Sequence, residues 1–549
     1  TKKNLPKSAL EEVKKIYAQA KKEKQEAQVI KSLIYIAGLQ QETRENNEVL
    51  SIKEMEKEIA TAPQPSRSVL QSILAEMYWD YFQNIRWQLY DLTETVNFKK
   101  EDIATWSAGD FHQQIASLYR QSIQEDELLK QTKLEPFDAI IIKGNTRRLR
   151  PTLYDLLAHR ALSYFKNDEQ DIAKPAYAFE IDEAAALGPV SDFIHRKFET
   201  ADSSSLQYQA LLVYQELLAF HLADEDPAAL VDVDLDRLQF VKENSTHPGK
   251  DGQYRLALNH ITHQYEDLSV SAQAWYLLAL EYNNDADTYK PSGDTTHRFD
   301  RFRAKEICEK VLASKDSTEG WVNCYNLLQQ ITHKSFSFQL EKVNLPAKPF
   351  RVYVKYRSIP VLYFRLIKAD KKLKDSIGEY FSEESWTKLI KAPVWKEGQQ
   401  ALPDTKDYQD HSVEIPMEGV TTGEYFLLAS SEKEFANKQA ILGARLFYVS
   451  AISYVNQGND FFILDRSSGQ PLANAAVQVW NQLYDYNKSR YVTEKGGAYT
   501  ADKNGFVQLA GEKEPNKYRS RENFKLDITY KEDKLFMDDW LYGNYYYQP

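Results

Sequence analysis

The sequence predicts a multidomain chain, all-α first and then all-β. A helical-repeat region spans residues 1–334, and two antiparallel β-sandwiches follow over 335–450 and 451–549. Three observations lead there. Apolar residues recur at helical spacing through the first part. Near His333 the period drops to two. The last hundred residues alternate in short runs separated by turns bearing glycine, proline and asparagine.

The helices come first. Pro6 suits an early helical position, and Ser8 with Glu11 has the spacing of a capping box. Leu10, Val13, Tyr17 and Ala20 follow at helical spacing, and Val29, Leu33 and Ile36 mark a second helix. Val69, Ile73, Met77, Tyr78 and Tyr81 mark another, and further helices are expected over 153–165, 206–222, 272–282 and 302–312. The run from Ala272 to Tyr282 resembles the first helix of a tetratricopeptide repeat, and the run from Arg303 to Leu312 resembles the second. A long insertion, residues 283–300, separates the two, and no 34-residue period is present. The expectation is therefore an irregular TPR-like α-solenoid, a fold that presents extended surfaces to partners.

In the strand region, Phe336 to Leu340 alternates, and so do Phe350 to Tyr356 and Val361 to Ile367 on either side of a turn at Ser358-Ile359-Pro360. Residues 387–410 read as an elaborated loop, 423–429 as a strand, and 442–454 as a link to the next sandwich. Asp460 to Arg466 reads as a strand, 467–472 as a turn, and Ala475 to Trp480 as the returning strand. Residues 501–509 read as another hairpin, with Asn504-Gly505 at the positive-φ positions.

Composition removes several function classes. The net charge of −11 argues against nucleic acid as the main partner, which would need a basic face. The most basic stretch, 143–150, holds four cations, Lys143, Arg147, Arg148 and Arg150, and reads as a solvated loop or helix start. No apolar run is long enough to span a membrane. Cys308 and Cys324 do not make a disulfide framework. Buried thiols are the default, and one bridge between neighbouring helices stays open. The start at Thr1 and the end at Tyr545-Tyr546-Tyr547-Gln548-Pro549 both read as trimmed.

The segment Asp465-Arg466-Ser467-Ser468-Gly469-Gln470-Pro471-Leu472, then Ala475, Val477 and Val479, then Thr500, Asp502 and Gly505, resembles the second macroglobulin domain of the alpha-2-macroglobulin family. Gly505 departs slightly from the family spacing, and carboxypeptidase-regulatory-like sandwiches share this turn logic. The stretch from Asn344 to Phe350, with the strands after it and Gly423 to Leu428, looks like a first macroglobulin domain. The resemblance covers the last ~210 residues best. More weakly, through Leu5 to Glu11, it reaches the helical N-terminal region of large bacterial members, particularly Bacteroides-like ones. It implies two macroglobulin-type sandwiches in an endopeptidase inhibitor of the periplasm or cell envelope. It also implies that target proteases would engage the intact protein, and that any lipid anchor would lie outside this chain.

Many family members carry a thioester in the form Cys-x-Glu-Gln. Here the sequences are Cys308-Glu309-Lys310-Val311 and Cys324-Tyr325-Asn326-Leu327, so no thioester is expected, and no bait region is recognisable. Phosphate-binding glycine loops, His-Glu-x-x-His and Cys-x-x-Cys are missing from the sequence. His260 and His263 pair at helical spacing, which reads as a solvated face before a metal site. Asp232, Asp234 and Asp236 with Glu243 mimic an EF-hand, but Arg237 stands where that loop needs glycine. The expectation there is a helix start capped by Asp234. Acidic pairs such as Asp538-Asp539 show nothing that selects them for acid–base work. No catalytic, cofactor-binding or metal residue is assigned. The sequence thus predicts a non-enzymatic protein-binding segment. The alternative is a solenoid scaffold or adaptor of the envelope with no protease connection. A glycan-active enzyme is a third reading.

Overall fold

The computed structural model describes residues 6–42, 44–89, 102–167, 177–314, 317–377, 381–485, 490–509, 523–537 and 539–541. Among these, helices run up to Thr332 and the first strand begins at Ser335, so the period change near His333 is the helix-to-strand boundary. The chain clusters into two compact units. One comprises Thr1–Glu281 with Ile307–Tyr325, the other Tyr282–Glu306 with Asn326–Pro549. No described helix is long and apolar enough to cross a membrane.

The first unit opens with α1 (Pro6–Lys22), α2 (Glu26–Gln41), α3 (Asn47–Thr61), α4 (Ser66–Leu89), α5 (Ala108–Ser122), α6 (Asp126–Gln131) and α7 (Leu153–Phe165). It continues with α8 (Val190–Phe193), α9 (Leu206–His221), α10 (Ala228–Asn244) and α11 (Lys250–Gln264). Packing follows chain order: α1 on α2, α2 on α3, α3 on α4, α4 on α5, α5 on α7, α7 on α9, α9 on α10 and α10 on α11. Then come α12 (Ser271–Ala286), α13 (Asp300–Leu312) and α14 (Glu319–Thr332).

Helix starts follow capping chemistry, though not always where the spacing predicts. The helix α1 begins at Pro6, so Ser8 sits inside its first turn and does not cap it. Capping boxes form instead at Ser107 with Asp110 and at Thr152 with Asp155. Asp155 does more than cap. Its second oxygen receives Nε2 of His221, at the end of α9, at 2.8 Å, and both side chains are buried. The expected start at Asp234 is also displaced. The helix begins at Ala228, whose N–H donates to Asp226 Oδ1 just before Pro227, so Asp232, Asp234 and Asp236 lie within α10. A continuous helix excludes a calcium loop there.

The second unit holds the strands β1 (Ser335–Leu340), β2 (Val343–Asn344), β3 (Phe350–Arg357), β4 (Val361–Lys368), β5 (Val394–Ala401), β6 (His411–Met417), β7 (Gly423–Ser430) and β8 (Leu442–Val449). After them come β9 (Ile452–Gln457), β10 (Asp460–Asp465), β11 (Ala476–Asp485), β12 (Arg490–Thr500), β13 (Phe506–Gln508), β14 (Phe524–Tyr530) and β15 (Asp533–Phe536). Among the described residues these form four sheets, ordered β1-β3-β6, β2-β8-β7-β4-β5, β13-β10-β9 and β12-β11-β14-β15. All pairings are antiparallel except β2 with β8.

The first two sheets enclose one core, with Val352, Val354 and Ile415 from one side and Leu366, Leu427 and Phe447 from the other. Strict alternation in β3 leaves Arg351, Tyr353 and Lys355 on its outer face, where Arg351 pairs with Glu414 at 2.9 Å. The run Tyr425-Phe426-Leu427-Leu428 in β7 is continuous because both faces are covered. Tyr425 and Leu427 enter that core. Phe426 and Leu428 pack with Ile377 and Leu389, from α15 (Lys371–Ile377) and α16 (Glu383–Lys391).

The other two sheets share a second core that includes Ile463, Val477, Ile528 and Leu535, and Val343 and Tyr448 join it from β2 and β8. Residues 387–410 are thus not a plain loop, since they contain the end of α16 and the edge strand β5. Nor is 442–454 a linker, because β8 is an interior strand of the five-stranded sheet. The two expected hairpins differ as well. β10 pairs with β9 and β13, while β11 pairs with β12 and β14, so each turn carries the chain from one sheet to the other.

Candidate functional site

The residues that carry the family resemblance meet at one corner of the second β core. Asp465 ends β10 and its Oδ1 accepts from the N–H of Ser467 and Ser468 at 3.0 and 2.9 Å, and from both hydroxyls. Those bonds hold its carboxyl down at about 2. Gly469 closes this turn at φ 70°. Asp502 repeats the device, accepting from the N–H of Asn504 and Phe506 at 2.8 and 2.9 Å. In that turn Gly505 alone has positive φ, at 73°; Asn504 does not, contrary to the expectation from sequence.

Both turns then dock on Ile463. Its N–H donates to Gly505 O at 2.8 Å and its carbonyl accepts from Leu472 N at 2.9 Å. A Cβ on Gly505 would stand 2.4 Å from Ile463 O. Asn474 and Ala501 complete the seam, since Asn474 N donates to Ala501 O at 3.0 Å and Ala501 N to Ala475 O at 2.9 Å. The motif is a knot that ties two sheets together, through backbone bonds at Ile463 and Ala501 and the two turns held by Asp465 and Asp502.

Sequence reasoning missed a second cluster in the same unit. Asp407 is fully buried in the loop before β6, flanked by Lys406 and Tyr408 at φ 52° and 57°. Its oxygens accept from Arg298 Nε at 2.9 Å, His411 Nε2 at 2.8 Å, Thr405 Oγ1 at 2.8 Å and Gln409 N at 3.1 Å. Burial pushes the carboxyl up, but these donors outweigh it and hold it at about 2. Gln409 receives Arg301 at 2.7 Å and donates to Ala286 O at 3.0 Å. The insertion that interrupts the repeat-like helices is therefore held by the first β module. Arg298 and Arg301 lie more than a hundred residues from their partners at Asp407 and Gln409, so their pairing left no local signal in the sequence.

Asp285, His297 and Asp300 gather beside this cluster with ligand-type atoms within 4.8 Å of one another. The group is satisfied without an ion. His297 Nδ1 binds Asp300 at 2.6 Å, and Arg303 takes the other Asp300 oxygen at 2.9 Å. His260 and His263 do not converge. His260 lines a cavity in the helical unit, while His263 bonds to Asn259 O at 2.7 Å and lies tilted against the Trp275 ring. Lys143 and Arg147 both pair with Asp138, and Arg150 faces Asp232 at 3.5 Å, so this basic stretch is largely neutralised within the fold. Asp539 pairs with Lys342, and Asp538 and residues 545–549 lie outside the described residues. Cys308 and Cys324 are free and buried.

The cavity at His260 measures about 620 Å³ and lies between the turn at Ala184–Leu187, α8, α10 and α11. Leu187, Pro189, Val190 and Leu230 line it, with Leu222 and Leu256 at its rim 48% and 64% exposed. Arg237 forms part of the wall but is fully engaged. It binds Asp234 at 2.6 and 2.9 Å, Ala186 O at 2.7 Å and Gly188 O at 2.9 Å, with its Cζ 4.3 Å from the Phe193 ring centre. The rest of the lining is mixed, with Ala257 and Ile261 beside Gln253, His260 and Gln264.

No protein-family model and no curated protein matches this chain. Among solved structures, native alpha-2-macroglobulin from Escherichia coli, in a crystal structure spanning domains MG0-NIE-MG1, aligns at 17% identity and a TM-score of 0.27. That alignment covers 37% of this chain and 64% of the other. Salmonella alpha-2-macroglobulin reacted with methylamine aligns at 11% identity and a TM-score of 0.18, over 39% of this chain and 17% of that one. The chain spans less than two thirds of either structure. Likenesses of this size do not carry a functional assignment.

Proposed function

We propose that this chain is a non-enzymatic segment of an alpha-2-macroglobulin-like endopeptidase inhibitor. Its two macroglobulin-type sandwiches, over 335–450 and 451–549, build part of the body. Its TPR-like helical stack, over 1–334, recognises a protein partner. The observation that carries the reading is the knot at Ile463. The residues of the family-like motif, Asp465, Gly469, Asp502 and Gly505, are the ones that join the two sheets. Helices that pack in chain order support the solenoid-like part, and the cavity near Leu256 supports partner binding. A periplasmic or envelope setting, a lipid anchor beyond this chain and a Bacteroides-like affiliation belong to the same proposal and rest on resemblance.

The division of labour is tested with this chain and a general protease. Cleavage of a large protein substrate and of a small peptide should both proceed unchanged. Protection of the large substrate at near-equimolar ratio, with peptide cleavage continuing, would place trapping within these residues and overturn the division.

A further inference from the structure

Leu156, His159, Arg160 and Ser163 recur at i, i+3, i+4 and i+7 along α7, so they share one face of it. That face lines a cavity of about 400 Å³ in the helical unit, and the loop before α7 supplies most of the rest. Four lining residues are cations, Lys143, Arg147, Arg150 and Arg160, and among the described residues no carboxylate lines it. Three of the four are committed elsewhere. Lys143 and Arg147 both hold Asp138. Arg160 donates to Ser72 Oγ at 2.8 Å and to Glu76 at 2.6 Å. Arg150 differs. Its backbone N–H donates to Thr146 O at 3.1 Å, which fixes where the side chain starts. Its guanidinium is poorly matched, with Nη2 3.5 Å from Asp232 and Nε buried without a partner. His159 Nε2 is also buried without a partner. Two unmet nitrogens on residues that line one cavity call for an acceptor there.

We propose that this cavity binds the carboxylate of an apolar organic acid, either a free acid or the C-terminal end of a peptide. The guanidinium of Arg150 and the imidazole of His159 donate to the carboxylate. One available guanidinium matches one carboxylate, and its planar fork suits two oxygens. Burial, with Arg150 nearby, keeps His159 neutral at pH 7, so one ring nitrogen still carries a hydrogen to give. Leu134, Ile141 and Leu156 take the apolar part, and Ile142, 98% exposed, extends that surface outward. The volume lies within the range of small-ligand sites, about 300–1,000 Å³. Inorganic phosphate offers nothing to the apolar part of the lining and fits less well.

The test is calorimetric titration of the native chain at pH 7 with hexanoate and with hexanamide, its uncharged counterpart. Hexanoate should bind, and hexanamide should bind about tenfold more weakly or worse. Arg150→Gln should weaken hexanoate by about tenfold. Arg148→Gln, which removes an exposed cation outside the lining, should leave hexanoate binding unchanged. Circular dichroism checks that both variants fold, and the hexanoate–hexanamide difference in the native chain decides the matter if Arg150→Gln does not. A short peptide ending in leucine, as free acid and as amide, separates the two sources. Tighter binding of the peptide acid than of hexanoate assigns the site to a partner's chain end, and weaker binding assigns it to a free acid. The site would be overturned by no binding of hexanoate, by equal binding of hexanoate and hexanamide, or by preference for inorganic phosphate. A loss in Arg148→Gln as large as in Arg150→Gln would overturn it too.

Discussion

A single buried imidazole gives the helical unit a pH signature. His159 has no partner at Nε2, and burial, with Arg150 nearby, lowers it to about 4. A depressed histidine favours the folded state when neutral. Its contribution is full above about 6.5, declines as the pH falls below that, and is gone once the pH falls through about 4. Between those values the unit should lose about 3 kcal/mol from this group. His221 acts in the other direction. Burial opposes its charge, but Asp155 and Asp224 outweigh burial and raise it, so its contribution is lost as pH rises. Urea titrations at several pH values should show the acid-side loss in the native chain and a much smaller one in His159→Gln. An unchanged profile in the variant would remove His159 as the cause.

At Asp407, replacement by Ala should destabilise the second unit by about 3 kcal/mol, because Arg298 and His411 lose a buried anion. Equilibrium unfolding reads this directly, and a loss below about 1 kcal/mol would mean the cluster is not structural. Neither site was legible in the sequence. A lone Asp between Lys406 and Tyr408 carries no sign of Arg298, and the Asp-rich run at 232–236 reads as a helix start until Asp226-Pro227 proves to precede it.

At the scale of elements, the two glycines of the motif make a controlled comparison. Gly469 and Gly505 share a positive φ, but only Gly505 has a backbone atom in the way. Gly469→Ala should cost about 1 kcal/mol, the price of the left-handed conformation alone. Gly505→Ala should cost about 3 kcal/mol or more, because the Ile463 carbonyl must also move. Equal losses in denaturant melts would mean that the knot at Ile463 is not tight.

Strand periodicity was legible where one face is wet, as in β3, and the turn chemistry was legible at Asp465 and Asp502. Pairing was not. A turn looks the same whether the chain returns beside the strand it left or crosses to a second sheet, because the choice depends on which apolar face is already covered. β8 escaped notice for a related reason. Its buried residues cluster at one end, so Leu442 to Val449 shows no period of two.

Across the whole molecule, the order helix-then-strand was written in the sequence, since hydrophobic period is a local property that survives tertiary context. The reach of the second unit back to Tyr282–Glu306 was not, because it depends on Arg298 and Arg301 finding a loop near residue 407. A chemical prediction belongs at this scale. With both cysteines buried and neither in a Cys-x-Glu-Gln sequence, methylamine should add no mass to the chain. A stoichiometric adduct would show an acyl bond that this account excludes.

The central claim, that these modules belong to an alpha-2-macroglobulin-like inhibitor, is tested most directly on the full gene product that contains this chain. It is incubated at near-equimolar ratio with a general protease, and cleavage of a large protein substrate and of a small peptide is followed in parallel. The account predicts that cleavage of the large substrate slows strongly while the peptide is still cut. Equal cleavage of both with and without the gene product would contradict it, and the envelope scaffold reading would take its place.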